Sequence, residues 1–140
     1  MSRYNICHMG LAICDAILAY QCFRLSLSAD GNHAESFNNL GVLELRKGNV
    51  DQVTVTRMPW SHSPSSPLTP FHTKARAFFQ TSAGLGGHLF EPNYNLSTLA
   101  EKSGDLQTSY VVVQRALKTF PAHRDSAELL KQLQRHFSML

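Results

Sequence analysis

The sequence predicts an all-α protein made of stacked helix pairs, and two observations carry that reading. The first is a spacing of 34 residues that recurs in both halves: Ile6, Cys7 and Asp15 are matched by Leu40, Gly41 and Asn49, and Ala75, Phe79, Ser82 and Gly87 by Ser109, Val113, Ala116 and Pro121. The second is a single break in that spacing, to 56, across which Ala19, Phe23 and Ser26 reappear as Ala75, Phe79 and Ser82, and Leu40 as Leu96. The excess of 22 residues places an insertion between Gln52 and Ala75. A fixed period of this size marks a helix pair that cannot bury its apolar face alone and therefore stacks on its neighbours.

The 34-residue length is that of the tetratricopeptide repeat, whose pattern is W-x2-L-G-x2-Y, then A-x3-F, then a late proline. The middle unit reads Phe37-x2-Leu40-Gly41, with Glu44 where an aromatic is usual; the last reads Asn93-x2-Leu96-Ser97-x2-Ala100, then Ser109-x3-Val113 and Pro121. Close approach is the physical need, and small residues meet it. Cys7, Gly41 and Ser97 let each first helix near its partner, and Ala19, Ala75 and Ser109 receive it. The expected fold is a tetratricopeptide-repeat helical solenoid of about three repeats plus a C-terminal capping helix, its second repeat interrupted by a disordered Pro/Ser-rich insert.

The elements follow in order within a single solenoid, 1–140. Residues 1–31 read as a truncated repeat: a first helix over 3–13 with Ile6, Met9 and Ile13 on one face, and a partner over 15–28 with Leu18, Cys22 and Leu25 inward. Since Met1 falls inside a repeat and a solenoid needs a polar cap at each end, the chain is expected to be a fragment or short isoform with an open stacking surface. Residues 32–88 are the second repeat. Its first helix spans 34–47 with Asn32 as a candidate cap, Gly48-Asn49 is the expected stop and turn, and the partner starts at Val50, breaks over 53–74 and resumes from Ala75 to Leu85. Residues 89–122 hold helices over 91–103 and 106–119, entered near Pro92, separated by Gly104-Asp105 and left at Pro121. Residues 123–140 form the capping helix, with Leu129, Leu130, Leu133 and Phe137 on one face and Lys131, Gln134 and Arg135 on the other.

The insert admits two accounts. Between Pro59 and Pro70 it is rich in proline and serine, which removes backbone donors and opposes helix. Ser63-Pro64, Ser66-Pro67 and Thr69-Pro70 suit proline-directed phosphorylation, or Pro64 to Pro67 a short extended ligand. The plainer account is a retained intron: Val53 fits a donor dinucleotide, Lys74 an acceptor, and the segment interrupts a helix instead of an inter-repeat loop. Removing residues 53–74 would set Ala75 34 residues after Ala19 and 34 before Ser109.

Composition narrows the function classes. A hydrophobic content of 43% with 16% charged residues fits a folded chain with a lightly charged surface, as in part of a larger assembly. The formal net charge of +3 includes Arg57 and Lys74 from the insert and forms no basic patch suited to nucleic acid. The three cysteines, Cys7, Cys14 and Cys22, match no zinc spacing and read as packing residues in a reducing compartment. There is no signal-peptide pattern at the N-terminus and no apolar run long enough to span a bilayer, so a cytoplasmic location is expected.

No catalytic constellation emerges. The seven histidines form no i, i+4 pair, and Gly84-Leu-Gly-Gly87 follows a helix where a phosphate loop would open one, so no enzyme, metal or cofactor is expected. What remains is the concave face, lined by the first helix of each pair: Glu35, Asn38, Asn39, Val42, Leu45 and Arg46 from one unit, and Tyr94, Asn95, Thr98, Glu101 and Lys102 from the next. Asn38, Asn39, Val42, Arg46, Tyr94, Asn95, Thr98 and Lys102 are the candidate protein-binding residues. Asn5, Asn39 and Asn95 hold equivalent places and would bond either an extended peptide or the neighbouring helix. Arg46 and Lys102 stand beside two acids, which speaks against a clamp for a chaperone tail's carboxylate.

Four segments go beyond a generic repeat: LAYQCFRLSL (18–27), AESFNNLGVLELRKG (34–48), GDLQTSY (104–110) and KQLQRHFSML (131–140). They closely resemble the C-terminal end of the Bardet-Biedl syndrome family's tetratricopeptide subunit of the BBSome, over residues 5–52 and 75–140, with no counterpart for 53–74. The resemblance implies a non-enzymatic scaffold in cilium assembly and in trafficking of membrane proteins to and from cilia. It further implies other BBSome subunits, ciliary cargo or centriolar proteins as partners, and a place at the cilium, basal body and centrosome. The alternative is a repeat adaptor that binds a short peptide in its concave groove.

Overall fold

The computed structural model describes residues 16–55 and 70–139, with side chains for 16–48 and 70–139. These residues form six helices and no strand: α1 (Ala16–Ala29), α2 (Ala34–Val55), α3 (Pro70–Leu85), α4 (Glu91–Lys102), α5 (Leu106–Thr119) and α6 (Arg124–Ser138). Each helix packs on the next, and α2 also reaches α4 past α3, the contact pattern of helix pairs stacked in a row.

The repeat period is visible as burial. Ala19, Phe23 and Ser26 of α1, Ala75, Phe79 and Ser82 of α3, and Ser109, Val113 and Ala116 of α5 are all buried, at the same three places on three second helices. Small residues at these places bring backbones together. The Ser109 hydroxyl donates to the Ser97 carbonyl of α4 at 2.9 Å, and the Ser82 hydroxyl to the Ala34 carbonyl of α2 at 2.7 Å. At Gly41 the approach is closest: a Cβ there would lie 2.6 Å from the Phe79 ring. Ala19, Phe23, Leu40 and Leu43 make one apolar cluster, Ala75, Phe79, Leu96, Leu99 and Val112 a second, and Val113, Leu129 and Leu133 a third, so the core is a strip along the stack.

Several expectations change. The stop at Gly48-Asn49 is absent, because α2 continues through both residues to Val55. Gly48 is buried against Phe71, whose Cβ would stand 3.1 Å from an added Cβ, so this glycine serves close packing on α3 and not a turn. The insert is not irregular at its ends: residues 53–55 extend α2, and Pro70 to Lys74 form the first turn of α3, with the proline at a helix start where its missing N–H does no harm. Its centre, 56–69, lies outside the described residues, as does the first helix expected over 3–13. In α1 the inward stripe is Ala19, Phe23 and Ser26; Leu18 and Leu25 are 42% and 55% exposed and Cys22 is half-buried. The need for a small residue against α2 chooses the face there, over the count of leucines.

The turns within and between repeats are built with specific caps. Gly104 takes φ 80°, the left-handed conformation that ends α4, and Asp105 then accepts the Thr108 N–H to open α5. At α2 the capping residue is His33, not Asn32: its Nδ1 accepts the Ser36 N–H at 3.2 Å, while the Asn32 N–H donates to Asp30. His123 repeats the arrangement at α6 with the Ser126 N–H at 3.2 Å. In α6, Leu129 and Leu133 are buried, Leu130 is half-buried, and Phe137 remains at the edge.

Candidate functional site

The two described first helices that carry the candidate binding residues, α2 and α4, lie side by side. Asn95 Nδ2 donates to Asn38 Oδ1 at 2.9 Å, a link between equivalent helices of successive repeats. Of the equivalent amides Asn5, Asn39 and Asn95, Asn95 thus bonds the neighbouring helix, at Asn38 and not at Asn39, and Asn5 lies outside the described residues. Each of the two amides keeps further capacity, since the bond uses one donor of Asn95 and one lone pair of Asn38. Thr98 is turned back on its own helix, its hydroxyl donating to the Asn95 carbonyl at 2.9 Å.

The rest of the face is less connected. Val42 packs against the cluster around Phe79 and Leu96 and is half-buried, so it is a floor residue. Asn39 is half-buried, Arg46 and Lys102 are exposed, and none of these three side chains makes a hydrogen bond or ion pair among the described residues. Tyr94 closes one end, its ring edge-on to His123 at 4.8 Å between centroids in a group that includes Phe90 and Phe120. Burial, with smaller contributions from Asp125 and Glu101, pushes the Tyr94 hydroxyl above the ordinary phenol range, so it is a neutral donor at this end. The face offers neutral amides, one phenol, and two separated cations beside the acids Glu35 and Glu101. It suits backbone recognition better than capture of a carboxylate.

Two constellations were not anticipated. Glu44 is 3% exposed, and its carboxylate is met by Lys47 Nζ at 3.2 Å, which also lies 3.9 Å over the Tyr20 ring. The spacing Glu44-x-x-Lys47 carried that signal, because i and i+3 share a helix face. The capping pair His33 and His123 stands at the sum of the two repeat spacings, each followed three residues on by serine, a recurrence that a search for metal or catalytic histidines does not register. Among the described residues no three His, Cys, Asp or Glu side chains gather, and no helix is long and apolar enough to cross a membrane.

No protein-family model matches the chain. It is 44% identical over 137 residues to human tetratricopeptide repeat protein 8 and 43% identical over 137 residues to the mouse protein, matches that cover 98% of this chain. It spans about a fifth of those relatives' length, 21% and 22%. A shorter match, 43% over 49 residues, joins it to the Caenorhabditis elegans protein of the same name. Among solved structures, the Arabidopsis OM64 TPR domain superposes with a TM-score of 0.72 at 10% identity, over 96% of this chain and 93% of that one. The first TPR of Spaghetti (RPAP3), bound to an HSP90 peptide, superposes with a TM-score of 0.71 at 10% identity, over 94% and 89%. At such identities these two likenesses concern the fold alone.

Proposed function

The chain is a relative of one segment of tetratricopeptide repeat protein 8, and on that footing we propose that it is a non-enzymatic scaffold segment acting within the BBSome. In that role its repeats hold other BBSome subunits, and the assembly serves cilium formation and the movement of membrane proteins to and from cilia. The places of action are the cytoplasm, the ciliary base and the centrosome. The observation that carries the reading is the 44% identity over 98% of the chain. It is supported by the character of the α2–α4 face: half-buried amides, bonded at Asn38–Asn95, with Arg46 and Lys102 exposed beside them. Affinity purification of the full chain from ciliated cells tests it. Recovery of other BBSome subunits in constant proportion is expected, and a preparation in which none co-purifies would end the proposal.

A second reading, a repeat adaptor for a short peptide, draws on the same Asn38–Asn95 face, where unused amide donors and acceptors could bond an extended backbone. The same purification separates the two, since an adaptor would bring down a single peptide-bearing partner and no BBSome component.

A further inference from the structure

We propose that the groove between α3 and α5 is a second docking surface, whose occupant is an acidic, extended segment of a partner protein carrying apolar side chains. The groove is open, about 890 Å³, walled by the second helices of two successive pairs and floored by Leu96 of α4. It lies away from the Asn38–Asn95 face and goes beyond the reading above.

Three features of the groove point to that occupant. Its charge is one-sided: Arg115 and Lys118 line it, no carboxylate does, and neither cation is in an ion pair among the described residues. Its wall is apolar where α5 turns outward, with Val111 39% exposed beside the cations. The third feature is Gly84. It stands in the last turn of α3, and Gly41, Gly48 and Gly86 each make room for a side chain of this protein: Phe79, Phe71 and Leu89. A Cβ at Gly84 would meet nothing within 4 Å, and its φ is not positive, so neither internal packing nor backbone conformation calls for glycine. The absence of a side chain there deepens the groove.

The groove's length fits a short segment. From Gln107 to Lys118 α5 rises about 16 Å, which about five residues of extended chain would cover. Apolar side chains would lie on Val111, and carboxylates would meet Arg115 and Lys118, the pairing that fixes orientation and excludes basic segments.

The test uses fluorescence anisotropy of the full chain with a short fluorescein-labelled peptide alternating leucine and glutamate, and with the same peptide carrying lysine for glutamate. Saturable binding of the acidic peptide is expected, with at most a tenth of that affinity for the basic one. Gly84→Trp fills the groove without changing charge and should weaken binding about tenfold or more, as should Arg115→Glu. Gly84→Leu is the second filling variant should the tryptophan perturb folding, with helical circular dichroism as the check. Asn95→Ala, on the other face, should leave the affinity unchanged, so loss here and failure of BBSome co-purification are separate results. Equal affinity in the filled variants, equal binding of the basic peptide, or a self-association that Gly84→Trp abolishes would each overturn the proposal.

Discussion

At the scale of single residues, stability rests on a few places where one helix must come close to another. Gly41 is the tightest, because an added Cβ would lie 2.6 Å from the Phe79 ring and neither partner has free space: Phe79 is fully buried between α2 and α4. Gly41→Ala gains helix propensity of about 1 kcal/mol, but overpacking costs about 1 to 3 kcal/mol. A net loss in urea unfolding is expected, and larger for Gly41→Val; a gain for Gly41→Ala would mean that α2 and α3 can separate freely. His123 is the second such residue, since it caps α6 at Ser126 and its ring contacts those of Phe90 and Tyr94 at 4.7 and 4.8 Å. Replacing a capping side chain by alanine costs about 1 kcal/mol, so His123→Ala should lower the unfolding midpoint, and His123→Asn should recover only the cap's share because the ring contacts are gone. The buried places of the repeat were readable from spacing alone. The roles of His33 and His123 were not, because a histidine cap has no strong propensity signal and looks the same as a solvated histidine until the Ser36 and Ser126 N–H groups are placed.

At the scale of elements, the turn between α4 and α5 is a small electrostatic unit. Asp105 is held below the ordinary carboxylate range first by hydrogen bonds from the Thr108 hydroxyl and N–H, and less by Arg76, whose guanidinium lies 3.3 Å away on α3. Its carboxyl therefore titrates lower in the folded chain than in the unfolded one. The stabilisation is complete above the ordinary value of about 4 and is lost as pH falls through the lower folded value. Asp105→Asn keeps an acceptor for Thr108 but loses the charge, so its deficit against the parent chain should be present near neutral pH and should close on acidification. Thermal unfolding of both across that range is the measurement, and a deficit that does not vary with pH would assign the cap to hydrogen bonding alone. This turn was legible because Gly-Asp is a strong stop-and-start signal. Gly48-Asn49 looks similar in sequence yet stays helical, and Phe71, brought by the insert, packs over Gly48 there. The groove on α3 and α5 is not legible in the sequence: Gln107, Val111, Arg115 and Lys118 read as the outer face of one helix, and only the neighbouring α3 makes them a wall.

At the scale of the whole molecule, the question is what the insertion does to the stack. The register across it is intact: with the insert present, Phe79 already lies against Gly41, and Ala75, Phe79 and Ser82 are as deeply buried as their counterparts in α1 and α5. The insert has supplied its own first turn to α3, so the stack keeps its order while the chain takes a longer path between α2 and α3. Deleting residues 53–74 would require α2 to end near Gly48 and give up its continuation to Val55, while Gln52 would replace Lys74 ahead of Ala75. Loop closure favours the shorter path by only about 0.6 kcal/mol per halving of length, and the large contact at Phe79 is not newly made, so the stability of the two chains should agree within about 1 kcal/mol. The sharper comparison is Phe79→Ala in each background. Truncating a buried phenylalanine costs about 3 to 5 kcal/mol, and the loss in urea unfolding should be the same with and without residues 53–74. A clearly smaller loss in the longer chain would mean that the insert loosens α3 from α2, and the deletion should then also raise the unfolding midpoint.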